Sequence, residues 1–219
     1  MTELFKYCRA ENQRKFFETG ELRIGTLFGY AEALGPMVGD RMEGRVKVGG
    51  TVSDMPGRPG MINPIVQRLV ATEGNCDVKI TRFQVNDMTV LSDNLYIFST
   101  SNSYSETVHR RWLAEEKYGS CYQIKAAHLF FRAVSASIAK HAAFMGLHRV
   151  RYHHDPSGEI DVNSPFAALQ PWQLKGGKSY GDQVEVRGIW KPLDSSPISV
   201  LKIEVPEAIQ YCRLHAELT

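Results

Sequence analysis

Apolar and polar positions along the first third of the chain predict short strands separated by a helix. Residues 4–8 (LFKYC) have the composition of a strand. Residues 11–18 then place two phenylalanines on one side of a helix, and Gly20 provides its C-terminal stop. Residues 22–27 alternate enough to form a second strand. Residues 35–64 are rich in glycine and proline, which predicts either a functional loop or a plain surface loop with at most short strands, such as 45–48.

The remaining pattern predicts several more strands and two helices. Ser105 has the chemistry of an N-cap for a helix that begins at Glu106 and runs to Gly119, and residues 126–143 carry an apolar face with helical spacing. A polar connection is expected at 155–181. Strands are expected at 78–85, 95–99, 121–124, 147–153, 183–190 and 198–205. Strands and helices do not alternate regularly, so we expect a single α+β domain over residues 1–219, with antiparallel sheets carrying a few helices.

Composition and charge are those of an ordinary globular protein. The chain has 219 residues, of which 43% are hydrophobic and 23% charged, and its formal net charge is +2. This near balance still leaves room for a local basic groove. No stretch of about 18 apolar residues occurs and the N-terminus is charged, so we expect a cytoplasmic protein without a membrane segment. The four cysteines, at positions 8, 76, 121 and 212, are scattered, which predicts reduced thiols.

The common catalytic motifs are missing from the sequence. There is no P-loop, no G-x-G-x-x-G after a strand, no G-x-S-x-G and no H-E-x-x-H. The adjacent pair His153 and His154 would point to opposite faces of a strand, so it makes a poor shared metal site. We therefore expect no metal centre.

Three short features nevertheless follow one another along the chain. A cation lies near the end of the first strand, within residues 6–9. Ser99, Thr100 and Ser101 directly follow an apolar strand, and Tyr180-Gly-Asp-Gln183-Val-Glu185 leads from a turn into another. On a strand, Gln183 and Glu185 would project from one face, roughly 6 to 7 Å apart, and Arg187 would continue that face.

This set of groups suits cleavage of an N-glycosidic bond. A fixed carboxylate stabilises an oxocarbenium-like transition state and binds a ribose hydroxyl, while an amide orients the nucleophile. A guanidinium can hold a pyrophosphate with two hydrogen bonds, and a serine can bind the ribose or the guanidinium. The alternatives are a surface ion pair between Glu185 and Arg187, a strand end at 99–101 and a solvated Arg9.

The order of these features resembles the arginine-serine-glutamate class of ADP-ribosyltransferases. Ser99-Thr100-Ser101 matches its S-T-S strand, and Tyr180, Gln183 and Glu185 match its aromatic-x-x-[Gln/Glu]-x-Glu turn. The resemblance implies a core of two packed, mostly antiparallel sheets with flanking helices, and NAD+ as co-substrate. It also implies a catalytic role for Glu185, acceptor selection by Gln183 and acceptor contact by Tyr180.

The resemblance also implies that an early cation and the serine strand hold NAD+. Arg9 follows Tyr7 by two positions and is our assignment for the cation, with Lys6 and Arg23 as the alternatives; Ser99, Thr100 and Ser101 complete the predicted NAD+ site. The first 30 residues are similar to the starts of small bacterial ADP-ribosyltransferase toxins from toxin–antitoxin and anti-phage defence systems. An antitoxin or chaperone-like inhibitor is implied as a partner.

The acceptor is predicted from Gln183 and from the distribution of basic residues. In the family, a glutamine at this position goes with acceptors other than arginine, including asparagine side chains and nucleic-acid bases. Basic residues beside aromatic ones are typical of single-stranded nucleic-acid binding. They occur here at His109-Arg110-Arg111-Trp112, at Arg149, Arg151 and His153, and at Lys175 and Lys178. We therefore favour a nucleic-acid base, in particular of RNA; a protein acceptor, plain NAD+ hydrolysis and a non-catalytic interaction domain are the alternatives.

Overall fold

The computed structural model of the chain describes residues 3–32, 42–55, 80–153, 159–176 and 180–218. These residues form strands and helices in a mixed order, which confirms the α+β class. The helices are α1 (Ala10–Thr19), α2 (Leu27–Glu32), α3 (Glu106–Glu116), α4 (Ala127–Ile138) and α5 (Pro206–Ile209). The strands are β1 (Leu4–Cys8), β2 (Glu21–Thr26), β3 (Arg45–Met55), β4 (Ile80–Leu91), β5 (Tyr96–Ser101), β6 (Ser120–Ile124), β7 (Ala142–Arg149), β8 (Arg151–His153), β9 (Glu159–Asp161), β10 (Leu174–Gly176), β11 (Glu185–Pro192), β12 (Leu201–Glu204) and β13 (Cys212–Glu217).

The largest sheet is antiparallel and branches at β5. One edge of β5 pairs along its length with β11, which in turn pairs with β7. The other edge pairs with β2 near Tyr96 and Ile97, and with β1 at Ser101. From there one branch continues through β1 to β6 and β13, and the other through β2 to β12. The branch between β1 and β2 is the feature of the fold that positions the site.

The main apolar core packs α1 and α4 against this sheet. Helix α4 buries Phe130, Val134 and Ile138, as its apolar spacing predicts, and also Phe131. Helix α1 buries Phe16 and ends where Gly20 takes a left-handed conformation and donates its N–H to the carbonyl of Phe16. The prediction of a helix stop at Gly20 is therefore confirmed.

A second, three-stranded sheet has the order β4-β3-β9 and its own apolar cluster. Strands β3 and β4 form a long antiparallel pair, and β9 adds to β3 in parallel. Val48, Val52, Val85 and Ile160 are buried in this cluster. Strands β8 and β10 form a further short parallel pair. The predicted short strand at 45–48 is thus the start of the much longer β3, while much of the predicted loop at 35–64 lies outside the described residues.

Several predicted boundaries are wrong. The helix expected over 126–143 ends at Ile138, and the next strand begins at Ala142 instead of residue 147. The strand expected from Gln183 begins at Glu185, because Gly181–Gln183 forms a 3₁₀ turn. Strand β13 and helix α5 were not predicted. In the connection expected at 155–181, residues 159–161 and 174–176 are strands, and 165–168 and 171–173 are 3₁₀ turns.

Two further features concern cysteines and membrane spans. Cys8, Cys121 and Cys212 are free and buried, while Cys76 lies outside the described residues. No helix in the part of the chain that the structure describes has both the length and the apolar character needed to span a bilayer.

Candidate functional site

A cavity lies where β1 and β2 diverge from β5. Because β2 pairs with the start of β5 and β1 with its end, the backbone between Ile97 and Ser101 faces the gap between them. Residues of β1, β2, β5 and β11 line this cavity, together with Glu43 and Lys175. Of the predicted site residues, Ser99, Thr100, Ser101, Gln183 and Glu185 line it.

Glu185 is the carboxylate of the cavity and is 7% exposed. Its oxygens accept hydrogen bonds from Arg187 Nε at 2.8 Å and from Lys175 Nζ at 3.2 Å. Burial opposes ionisation of this carboxyl, but the charges of Arg187 and Lys175 outweigh burial and hold the pKa of Glu185 well below its ordinary value. The side chain of Ser99 also favours the ionised form and so lowers the pKa of Glu185. Glu185 is therefore a fixed anion, as the proposed chemistry requires.

Arg187 is held from both sides and does not reach out to a ligand. Besides binding Glu185, its NH1 group lies 2.6 Å from Glu43 Oε1 and donates to the backbone oxygen of Trp172 at 2.8 Å. Arg187 and Glu185 do pair, but in a strand flanked by β5 and β7 and at 2% exposure of Arg187, not at the surface. A pyrophosphate would have to be bound by another cation.

The segment before Glu185 is a turn and not the expected strand, but Gln183 and Glu185 still lie close together. Gln183 lies in the 3₁₀ turn, and Val184 has a left-handed conformation with φ of 41°. The prediction that Gln183 and Glu185 project from one face of a strand is therefore wrong. Lys175 joins them instead, since its Nζ lies 3.3 Å from Gln183 Oε1 and 3.2 Å from Glu185 Oε2.

The three residues of the Ser-Thr-Ser strand have different surroundings. Ser99 contacts Glu185, and its strand position is directly opposite Arg187. The Thr100 hydroxyl donates to the backbone oxygen of Val186 at 2.8 Å. The Ser101 hydroxyl lies 2.8 Å from the backbone oxygen of Gln183 and 2.7 Å from that of Ser103. Of these three hydroxyls, that of Ser99 acts on the Glu185 carboxylate, and that of Ser101 holds the turn.

The structure does not bring Arg9 to the cavity. Strand β1 ends at Cys8, and Arg9 is the exposed residue that immediately precedes α1. The two alternatives, Lys6 and Arg23, both line the cavity. Lys6 Nζ donates to the backbone oxygen of Ser99 at 2.7 Å and lies 4.5 Å from the centre of the Phe98 ring. Desolvation lowers the pKa of Lys6 to about 8, although the charge of Glu185 opposes this shift.

Tyr180 contacts Lys175, which lines the cavity, but Tyr180 itself does not line it. The Lys175 ammonium is 4.3 Å from the centre of the Tyr180 ring, which is a cation–π distance. In the same turn, Asp182 accepts a hydrogen bond from Arg111 of α3 at 2.7 Å. The turn that leads into Glu185 is therefore held to both β10 and α3.

The residues expected to bind nucleic acid are only partly exposed. His109 is fully buried and its ring lies 3.2 Å from the Tyr104 hydroxyl, while Arg110 pairs with Glu106. Trp112 lines the cavity together with Tyr7 and Tyr118, whose rings stack with it. Arg149 and Arg151 are exposed, His153 is half-buried, and Lys178 lies outside the described residues. Of the members of this set that the structure describes, only Trp112 and Lys175 line the cavity.

Sequence reasoning missed two groups of the site and misjudged a third. Glu43 comes from the glycine- and proline-rich segment, where nothing in the pattern marks a buried acid. Tyr152, whose hydroxyl accepts the backbone N–H of Glu185 at 2.9 Å, had no signal either. Lys175 was predicted as a surface cation for nucleic acid and is instead 6% exposed.

Comparison of the chain with protein-family models, with curated proteins and with solved structures finds no match. Among the described residues, no group of three or more histidine, cysteine or acidic side chains is placed to hold a metal ion.

Proposed function

We propose that the chain is an NAD+-dependent mono-ADP-ribosyltransferase that transfers ADP-ribose to a nucleic-acid base, with RNA as the favoured acceptor. One observation carries this proposal: Glu185, Ser99 and Lys6 line the same cavity, although they come from three different strands. An anion, a hydroxyl and a cation within one cavity are the groups that splitting a dinucleotide at its nicotinamide ribose requires.

In the proposed reaction, the bond between the nicotinamide nitrogen and ribose C1′ breaks and nicotinamide leaves with the bonding electrons. The carboxylate of Glu185 stabilises the positive charge that develops on the ribose. The acceptor atom then bonds to C1′, and the proton that it loses passes to solvent. Because Arg187, Lys175 and Ser99 hold Glu185 in the ionised form, no proton has to be removed from it beforehand.

Lys6 is the proposed anion-binding cation, with Arg23 at the cavity edge as its partner. Both line the cavity, whereas Arg9 does not. Lys6 is already fixed to the backbone of Ser99, and this contact leaves ammonium protons for a phosphate oxygen. This assignment replaces Arg9 as the predicted NAD+-binding residue.

Incubation of the protein with NAD+ labelled in the adenylate part, in total cell lysate, tests the proposal. The wild type should label nuclease-sensitive material and release nicotinamide, and Glu185→Gln should lower both by about a hundredfold or more. Glu204→Gln, an exposed acid on β12, serves as the matched control. Label that only protease removes would indicate a protein acceptor, and free ADP-ribose without label would indicate plain hydrolysis.

A wild type that neither labels material nor releases nicotinamide would leave the non-catalytic interaction domain as the explanation. The proposal also includes an inhibitory partner, since this activity inside its own cell would modify that cell's nucleic acid. Co-expression with a neighbouring gene product that suppresses the labelling would identify such a partner.

A further inference from the structure

Lys175 holds together the three residues of the turn motif. Its ammonium lies 3.3 Å from the Gln183 amide oxygen, 3.2 Å from a carboxylate oxygen of Glu185 and 4.3 Å from the centre of the Tyr180 ring. The side chain of Lys175 is 5% exposed. A buried positive charge therefore lies directly beside the side chain to which acceptor selection is assigned.

The contact with Lys175 fixes the direction of the Gln183 amide. An ammonium group only donates hydrogen bonds, so the amide oxygen must face it and the amide nitrogen must point to the other side. The backbone oxygen of Gln183 is also held, by the hydroxyl of Ser101 at 2.8 Å. Both the backbone and the side chain of Gln183 are thus set by neighbours that the turn motif does not include.

Resting on the proposed function, we propose that Lys175 is a specificity-determining residue that excludes cationic acceptors and restricts transfer to uncharged groups such as a nucleic-acid base. A guanidinium or ammonium group that approached Gln183 would meet the like charge of Lys175, whose side chain is 5% exposed and therefore little screened by solvent. Such repulsion is much stronger there than in water, and a fixed like charge is an effective way to reject the wrong partner.

The same contact predicts how the site responds to a second carboxylate. A glutamate in place of Gln183 would form an ion pair with Lys175, so its charge would not be free to attract a guanidinium. Gln183→Glu alone should therefore leave the site closed to cationic acceptors. Removal of the ammonium together with this change should open it. The two positions are predicted to be coupled, because they are in direct contact.

The test compares transfer to agmatine, a small guanidinium compound, with transfer to RNA, and follows nicotinamide release without acceptor. The proteins are the wild type, Gln183→Glu, Lys175→Met, the double variant Lys175→Met/Gln183→Glu and the charge-keeping control Lys175→Arg. The ratio of agmatine to RNA transfer should rise by on the order of tenfold to a hundredfold in the double variant. It should stay at the wild-type level in Gln183→Glu and in Lys175→Arg. Thermal unfolding by circular dichroism identifies variants that do not fold.

Three outcomes would overturn the inference. One is a rise of the ratio in Gln183→Glu alone that equals the rise in the double variant. Another is a folded double variant with the wild-type ratio. If the Met variants do not fold, a raised ratio in Gln183→Glu still contradicts the proposal, and an unchanged ratio supports it. Failure of the proposed function is distinguishable, because the wild type would then release no nicotinamide.

Discussion

The NH1 group of Arg187 lies 2.6 Å from the carboxylate oxygen Oε1 of Glu43, and each side chain is 2% exposed. Arg187 belongs to β11 of the branched sheet, and Glu43 belongs to the turn that leads into β3 of the smaller sheet. The ion pair therefore connects the two sheets directly behind Glu185. A buried pair of this kind is costly to break, because Arg187 would keep its charge in the interior with Glu185 as its remaining carboxylate partner.

Replacement of Glu43 by glutamine should destabilise the protein and disturb the site. The variant keeps the size of the side chain but leaves Arg187 with one carboxylate instead of two. We expect the free energy of unfolding to fall by about 3 kcal/mol. Urea unfolding at neutral pH measures this change. The exposed pair between Glu106 and Arg110 is the matched control, and Glu106→Gln should cost about 0.5 kcal/mol or less. Equal losses in the two variants would contradict a structural role for the buried pair.

Lys6 gives the proposed NAD+ binding a characteristic pH dependence. Its ammonium is a cation below its pKa of about 8, which desolvation has lowered from 10.5. If Lys6 holds the phosphates, the KM for NAD+ should rise above about pH 8 as the charge is lost. In Lys6→Arg the KM should stay flat to at least pH 10, because a guanidinium keeps its proton. A rise at the same pH in the Arg variant would assign the effect to another group.

The same shift affects stability in a predictable direction. Between about pH 8 and 10.5, the unfolded chain keeps the Lys6 proton that the folded protein has lost. Stability rises with pH wherever the unfolded state binds more protons, so this group's contribution should become more favourable across that window. Lys6→Met should lack this rise. The comparison requires urea unfolding curves of both proteins at pH 7.5, 9 and 10.5. If the free energy of unfolding changed equally with pH in both proteins, Lys6 would not be desolvated in the folded protein.

The parts of the site that the sequence could predict are those that lie within recognisable local patterns. Ser99 lies in the second half of β5 and Glu185 is the first residue of β11, and antiparallel pairing of the two strands brings these parts together. Glu43 could not be found in this way, because its partner is distant in the chain and only tertiary packing joins them. The left-handed conformation of Val184 could not be predicted either, because a β-branched residue rarely adopts it. This conformation turns Gln183 out of the strand.

Arg9 illustrates how a shift of a few positions changes an assignment. The sequence predicts the strand at residues 4–8 and the structure confirms it, but the sequence does not show which of the candidate cations faces the cavity. Lys6 lies within β1 beside the gap in the sheet, whereas Arg9 follows the strand and immediately precedes α1. The choice between these cations depends on how β1 and β2 pair with β5, and that pairing is tertiary.

Ser101 should matter for the turn more than for NAD+. Its buried hydroxyl has one proton to donate, and the backbone oxygens of Gln183 and Ser103 both lie within hydrogen-bond distance of it. Ser101→Ala removes this donor from the buried backbone oxygen of Gln183, so we expect a loss of about 1 to 3 kcal/mol in unfolding free energy. Transfer to the acceptor should fall more than nicotinamide release. Ser103→Ala keeps the backbone carbonyl and has an exposed side chain, so it is the control. An equal fall of both reactions would instead support a direct role for Ser101 in NAD+ binding.

Gly188 tests how tightly α4 packs on the sheet behind the site. It lies in β11 between Phe98 on β5 and Leu147 on β7, and a Cβ at this position would overlap ring carbons of Phe131. Overpacking of a core costs about 1 to 3 kcal/mol, so Gly188→Ala should lower the unfolding free energy by that amount. Gly176 on β10 has no heavy atom within 4 Å of such a Cβ, so Gly176→Ala should leave stability nearly unchanged.

Because Gly188 follows Arg187, a shift of β11 away from α4 should also weaken the contact of Arg187 with Glu185. Gly188→Ala combined with Phe131→Leu, which provides room for the methyl group, should regain part of both the stability and the rate of nicotinamide release. Loss of activity without loss of stability in Gly188→Ala would contradict this packing argument.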